Sequence, residues 1–201
     1  AEQDPTLEDD TLLQAEDEDG IEFADPSFGQ ERLWFLHRLA PRSSAYHLRS
    51  ALRLEGPLDV EALNGAFRNL AERHEALRTR FAEVDGEPLQ VIEHEATLRV
   101  ELVDATAWSG DQLEKAVGKA VSRPFDLERA PLVRVVLYRL APDRHVLALV
   151  MHHICSDGWS MGLLVRELTE LYAAKRQGRE PRLVELPIQY ADYAVWQRRW
   201  L

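Results

Sequence analysis

The residues with chemical capacity gather in one stretch, Met151–Ser160, with the sequence MHHICSDGWS. His152 and His153 are adjacent, Asp157 lies four positions beyond His153, and Gly158 follows directly. A neutral imidazole, with an unperturbed pKa of about 6.5, suits proton removal from an attacking amine or hydroxyl near neutral pH. In extended backbone, adjacent side chains point to opposite faces. The two imidazoles are therefore not expected to serve one atom: one should face the packed interior and the other an opening. Asp157 could fold back as a histidine's orienter, or act as an anchor that caps a helix or pairs with an arginine. The anchor is favoured, because carboxylates near a helix start are more often caps or ion-pair partners. Gly158 removes a side chain where a substrate or another stretch of backbone would pass closely. The free N–H groups of a following helix would suit a developing oxyanion.

Other chemistries fit less well. A zinc site wants three or four ligands, and one cysteine with two histidines on opposite faces supplies few, so no metal is expected. Cys155 sits in a mostly apolar stretch and is expected to pack rather than to act as a nucleophile. Ser156 and Ser160 lack a G-x-S-x-G elbow, which weakens serine hydrolysis.

The elements that must position these residues follow from periodicity. Ser27 can cap a helix over FGQERLWFLHRLA, which Pro41 stops. Residues 45–54 alternate as a half-buried strand, and Asp59 can cap a helix running to about Arg78. Thr79–Val84 and 89–92 read as strands around Asp85-Gly86, a strong hairpin signal. Residues 98–103 form another strand and residues 112–122 a helix. Two apolar runs, 132–140 and 145–152, read as central strands covered on both faces. Gly158–Gln177 and residues 190–201 are helices. The class is α/β with a mixed sheet, and the chemical stretch falls where a buried strand ends and a long helix begins, the usual place for a site in such a sheet.

The net charge of −11 sits entirely in residues 1–25, which hold 11 acidic side chains and no basic one; residues 26–201 hold 24 of each. The body therefore offers no electrostatic case for nucleic acid or a membrane. The acidic stretch reads as a solvated leader or interdomain linker, with a docking segment as the alternative and Leu12, Leu13, Ile21 and Phe23 as its possible anchors. No apolar run approaches the roughly 20 residues of a membrane span, and AEQDPTLEDD has no Sec-type character. The single cysteine fits a reducing compartment, so a cytoplasmic location is expected.

His152, His153, Asp157 and Gly158 spell HHxxxDG, and on four ordered segments the chain resembles the condensation domains of nonribosomal peptide synthetases. SFGQERLWFL (Ser27–Leu36) is similar to the family's opening motif and RHEALRTRF (Arg73–Phe81) to its second. MHHICSDGWS is similar to the active-site motif and YADYAVWQRRW (Tyr190–Trp200) to the fourth. Gly29 stands where alanine is frequent. The resemblance implies a chloramphenicol-acetyltransferase-like lobe, an α+β sandwich with a mixed sheet flanked by helices. It implies two lobes with the motif between them, and donor and acceptor carrier proteins that bring substrates on phosphopantetheine arms, with no cofactor bound directly. The acceptor amine would attack the donor thioester and form an amide.

The resemblance implies that His153, His152, Asp157 and Gly158 are the catalytic set, in which His153 positions or deprotonates the amine, Gly158 contributes backbone and Asp157 maintains the site's shape. Asp157 is held by an arginine. Arg32, Arg78, Trp159, Ser160, Tyr190 and Trp196 are supporting positions, with Trp196 expected in the core. DGWSMGLL favours peptide-bond formation, while a related O-acyltransferase, an epimerisation domain and a carrier-docking module are the alternatives. A complete domain of the family is roughly twice as long. The chain thus reads as a leader (residues 1–25) and an N-terminal lobe (26–201), expected to lack the C-terminal lobe, to neighbour an adenylation domain, and not to condense substrates unaided.

Overall fold

The computed structural model describes residues 14–16, 21–95 and 97–201. The first half of the chain runs β1 (Gln14–Glu16), β2 (Glu22–Ala24), α1 (Phe28–Leu39), β3 (His47–Glu55), α2 (Val60–Arg73), β4 (Thr79–Val84) and β5 (Glu87–Ile92). The second half runs β6 (Val100–Asp104), α3 (Gly110–Ser122), β7 (Val133–Ala141), β8 (Arg144–His152), α4 (Gly158–Gln177) and α5 (Tyr190–Trp200).

Two sheets result. The larger has the order β3-β8-β7-β6, antiparallel except for the β6–β7 pair, which is parallel and bridged by α3. Its central hairpin is covered on both faces, as continuous hydrophobicity requires. Leu147, Leu149 and Met151 of β8 join Val133, Val135 and Leu137 of β7 in a core under α2 and α4. The intervening residues turn to the other face. Val146 and Ala148 pack with Val136 and Tyr138 against α3, and Val150 packs with Trp34 and Phe125. This alternation sends His152 to the same buried side as Val150. The smaller sheet has the order β1-β2-β5-β4 and is antiparallel throughout. Its β4–β5 hairpin turns on Asp85 and Gly86, both with positive φ (53° and 88°), as a primed turn needs.

Three expectations are corrected here. The helix after Asp59 ends at Arg73, and a 3-10 turn follows over Glu75–Leu77. Its stop is tertiary: the buried carboxylate of Glu167 on α4 binds Arg73 Nε (3.1 Å) and His74 Nε2 (2.6 Å), and His74 adopts extended backbone. Within the stretch read as a solvated leader, β2 pairs with β5 and buries Ala24, so the ordered body starts before Pro26. Leu12 and Leu13 lie outside the described residues, while Ile21 and Phe23 are half-buried. Trp196 is 53% exposed rather than in the core, because it sits on the outer face of α5 beside Tyr193. Among the described residues no helix is long and apolar enough to cross a membrane.

Candidate active site

The strand β8 ends in a tight turn whose backbone donors all have partners. His153 N–H donates to the Tyr46 carbonyl (2.8 Å), which continues the β3 pairing by one residue. Ile154 N–H donates to His152 Nδ1 (3.2 Å), and Cys155 N–H to the His152 carbonyl (3.1 Å). Because Nδ1 accepts, the proton of neutral His152 lies on Nε2. The ring is buried among His37, His47 and Phe125, each packed edge-on with centroids about 6 Å away. Burial, helped by the neighbouring histidines, pushes the His152 pKa down to about 3, so this imidazole stays neutral. His153 points the other way and is exposed. The expected division between one interior and one open histidine is therefore the observed one.

His153 opens on a cavity of about 230 Å³ walled by Gly29, Gln30, Leu33, Ser156, Asp157 and Tyr190. The floor is the turn itself, one wall is the first turn of α1, and Tyr190 closes a side from α5. Its hydroxyl is hydrogen-bonded to Ser27 Oγ (3.0 Å), and burial raises its pKa.

Asp157 is the N-cap of α4, taking Ser160 N–H (2.7 Å) and Ser160 Oγ–H (2.6 Å) on one carboxylate oxygen. The hydroxyl and N–H of Ser160 hold its pKa below the ordinary value, with a smaller pull from His153. It is an anchor of the capping kind, and among the described residues no arginine forms an ion pair with it. Of the N–H groups at the helix start, that of Ser160 is taken by Asp157. At Gly158 a Cβ would meet nothing within 4 Å, so no part of the described chain passes close to it.

The remaining sequence candidates scatter. Trp159 is 80% exposed beside the cavity. Arg32 is exposed on α1, and its side chain has no partner among the described residues. Arg78 is structural: it donates to the Glu93 carbonyl and pairs with Glu75 (3.5 Å), fastening the 3-10 turn to the end of β5. Cys155 is enclosed enough that burial pushes its thiol up to about 12, which makes it a poor nucleophile. No group of three or more His, Cys, Asp or Glu among the described residues is placed to hold a metal ion. Of Gln30, His37, His47 and Tyr46, which contribute to the site, only Gln30 carries a local signal, the Ser27-x-x-Gln30 capping box at the head of α1, and that signal marks a helix start rather than a site. All four are brought there by α1 and β3 packing beside β8.

Residues 22–201 match the family described as condensation domain. The chain belongs to the condensation-domain family. One of the linear gramicidin synthase proteins of Brevibacillus parabrevis is 48% identical over 179 residues, covering 87% of this chain and 2% of that protein. The X-domain from teicoplanin biosynthesis matches with a TM-score of 0.78 and 38% identity over 87% of this chain and 38% of its own. The first condensation domain of the calcium-dependent antibiotic synthetase, solved with a substrate analogue, matches with a TM-score of 0.77 and 26% identity, over 87% and 43%. The chain thus has the chloramphenicol-acetyltransferase-like fold of solved condensation domains. It spans about two-fifths of those solved chains and a few per cent of the synthetases it resembles.

Proposed function

We propose that this condensation-domain lobe takes part in amide formation between two carrier-bound thioesters, with His153 as the group that positions or deprotonates the acceptor amine. The observation that carries the reading is the outward turn of His153 into the cavity while His152 is locked inward and neutral. The amine nitrogen attacks the donor thioester carbonyl, forming C–N. The tetrahedral intermediate then collapses with loss of the donor's phosphopantetheine thiolate, which takes up the proton released from the amine. His153 is the only imidazole of the pair able to reach such a proton. Asp157 supports the reaction indirectly by capping α4, and His152 by fixing the turn. The phosphopantetheine arms belong to donor and acceptor carrier proteins, and an adenylation domain that loads a carrier is the expected neighbour. The chain spans about two-fifths of a solved domain, and the lobe alone is expected not to condense substrates.

His153→Ala in the complete domain should lower the rate of amide formation by roughly 10²–10⁴, the range for a general base, with folding retained. Intact mass of the carrier-bound product reads both the rate and the bond type. Near-unaltered turnover removes His153 as the base, and an ester product or an inverted stereocentre moves the assignment to an O-acyltransferase or an epimerisation domain.

A further inference from the structure

A buried polar side chain from outside the turn that carries His153 reaches one of its carbonyls. Gln30, in the first turn of α1, is 3% exposed and has both of its polar atoms engaged. Its Oε1 accepts from Ser27 N–H (2.8 Å), while Nε2 donates to Gln90 Oε1 (2.9 Å) and to the Ile154 carbonyl (3.4 Å). Gln90, itself 2% exposed on β5, donates onward to the Asp25 carbonyl (2.9 Å). A chain of amides therefore joins the end of the smaller sheet, the start of α1 and the turn that carries His153.

The position of the last bond gives it its consequence. The N–H groups of His153, Ile154 and Cys155 are held by Tyr46, His152 Nδ1 and the His152 carbonyl. The peptide plane between Ile154 and Cys155 is thus fixed at its N–H end by β8 and at its carbonyl end by Gln30. Ile154 is 2% exposed, so water offers its carbonyl little replacement. Freed at that end, the plane can rock about Ile154, and His153 is joined to Ile154 by the preceding peptide bond.

We propose that Gln30 is a positioning residue for His153, setting the imidazole's direction through the Ile154 carbonyl. The inference rests on the catalytic reading above, but its test does not. Gln30→Met removes the Nε2 donor and the Oε1 acceptor at similar size. Gln30→Glu keeps an acceptor for Ser27 N–H but, when ionised, turns a carboxylate toward Gln90 Oε1 and the Ile154 carbonyl. Ser109→Ala is the control, because Ser109 heads an equivalent capping box on α3, away from the site.

Amide exchange of Cys155 and the His153 ring resonances are followed by NMR on the chain, with thermal melting alongside. Gln30→Met is expected to speed Cys155 exchange at least tenfold and to shift the His153 ring signals, while Ser109→Ala lowers melting and changes neither. Gln30→Glu should behave like Gln30→Met at neutral pH. It should regain protection as the pH falls, when its protonated carboxyl recovers a donor. Should Gln30→Met fail to fold, the pH-dependent recovery in Gln30→Glu decides. Wild-type exchange and ring signals in the folded variants, no recovery in Gln30→Glu, or equal changes in Ser109→Ala would each overturn the proposal. In the complete domain, Gln30→Met should lower kcat with little change in KM for the carrier-bound acceptor. An active His153→Ala variant would remove the base assignment while leaving the NMR result intact.

Discussion

Replacing Asp157 by alanine separates an anchor from a chemical participant. The substitution removes one carboxylate oxygen that takes both Ser160 N–H and Ser160 Oγ–H. Loss of an aspartate N-cap costs about 1 kcal/mol, within a range of about 0.5–2 kcal/mol. Loss of its charge beside the helix start adds about 0.3–1 kcal/mol, and exposure of Asp157 to solvent places that contribution at the low end. The total of about 1–2 kcal/mol corresponds to a fall in melting temperature of roughly 2–8 °C for a chain of this size. The effect should not stay local, since α4 carries Glu167, Leu164 and Leu171 into the core against α2. Thermal unfolding by circular dichroism measures it, with Asp157→Asn retaining an acceptor oxygen and losing the charge. The folded Asp157 pKa lies below its ordinary 3.8. Its charge-dependent stabilisation is therefore full above that value and disappears as the pH falls through the folded pKa, so wild type and Asp157→Asn should converge in strong acid. A variant that melts like wild type yet abolishes amide formation in the complete domain would refute the anchor assignment and move Asp157 into the chemistry.

Two further perturbations probe the same turn. The His152 pKa is pushed down to about 3, so its unfolded form binds a proton first and stability should fall as the pH drops below about 6.5. His37 and His47 are lowered by burial in the same direction, and His152→Gln should therefore flatten the melting-temperature profile between pH 6.5 and 4 without abolishing its slope. An unchanged slope would mean that His152 is not the main titrating group. Gly158→Ala places a methyl where nothing lies within 4 Å, at the first position of α4. It should leave melting unchanged or raise it by a few degrees at most, since alanine is the better helix former. Loss of condensation activity with intact stability would show that the close neighbour of Gly158 comes from outside these residues, whereas a lower melting temperature would contradict the open space seen here.

Much of the site was legible because its signals are local. Strand alternation separates His152 from His153 whatever surrounds them, and β8 did place one inside and one outside. Asp157 three residues before Ser160, at the head of a helical pattern, is a capping arrangement readable from spacing alone. Both ends of α4 followed the sequence, with Gly178 supplying the left-handed stop at φ 61°. The errors fell where distant partners decide. α2 stops at Arg73 because Glu167, far along the chain, claims Arg73 and His74. Trp196 is aromatic in a helix, but which face of α5 meets a neighbour is set by packing. The acidic N-terminal stretch looked solvated from its charge, yet β5 offered its edge to β2.

The sequence alone determined the two-faced burial of β7 and β8 and the inward and outward directions of His152 and His153, because period-2 alternation acts over a few residues. Only the tertiary structure decided what the turn after β8 rests on. Gln30, His37, His47 and Tyr46 come from elements separated from it by about a hundred residues, and burial by them makes His152 neutral and holds the Ile154 carbonyl. Desolvation and hydrogen bonding of that kind depend on which surfaces meet, and no local pattern encodes the meeting.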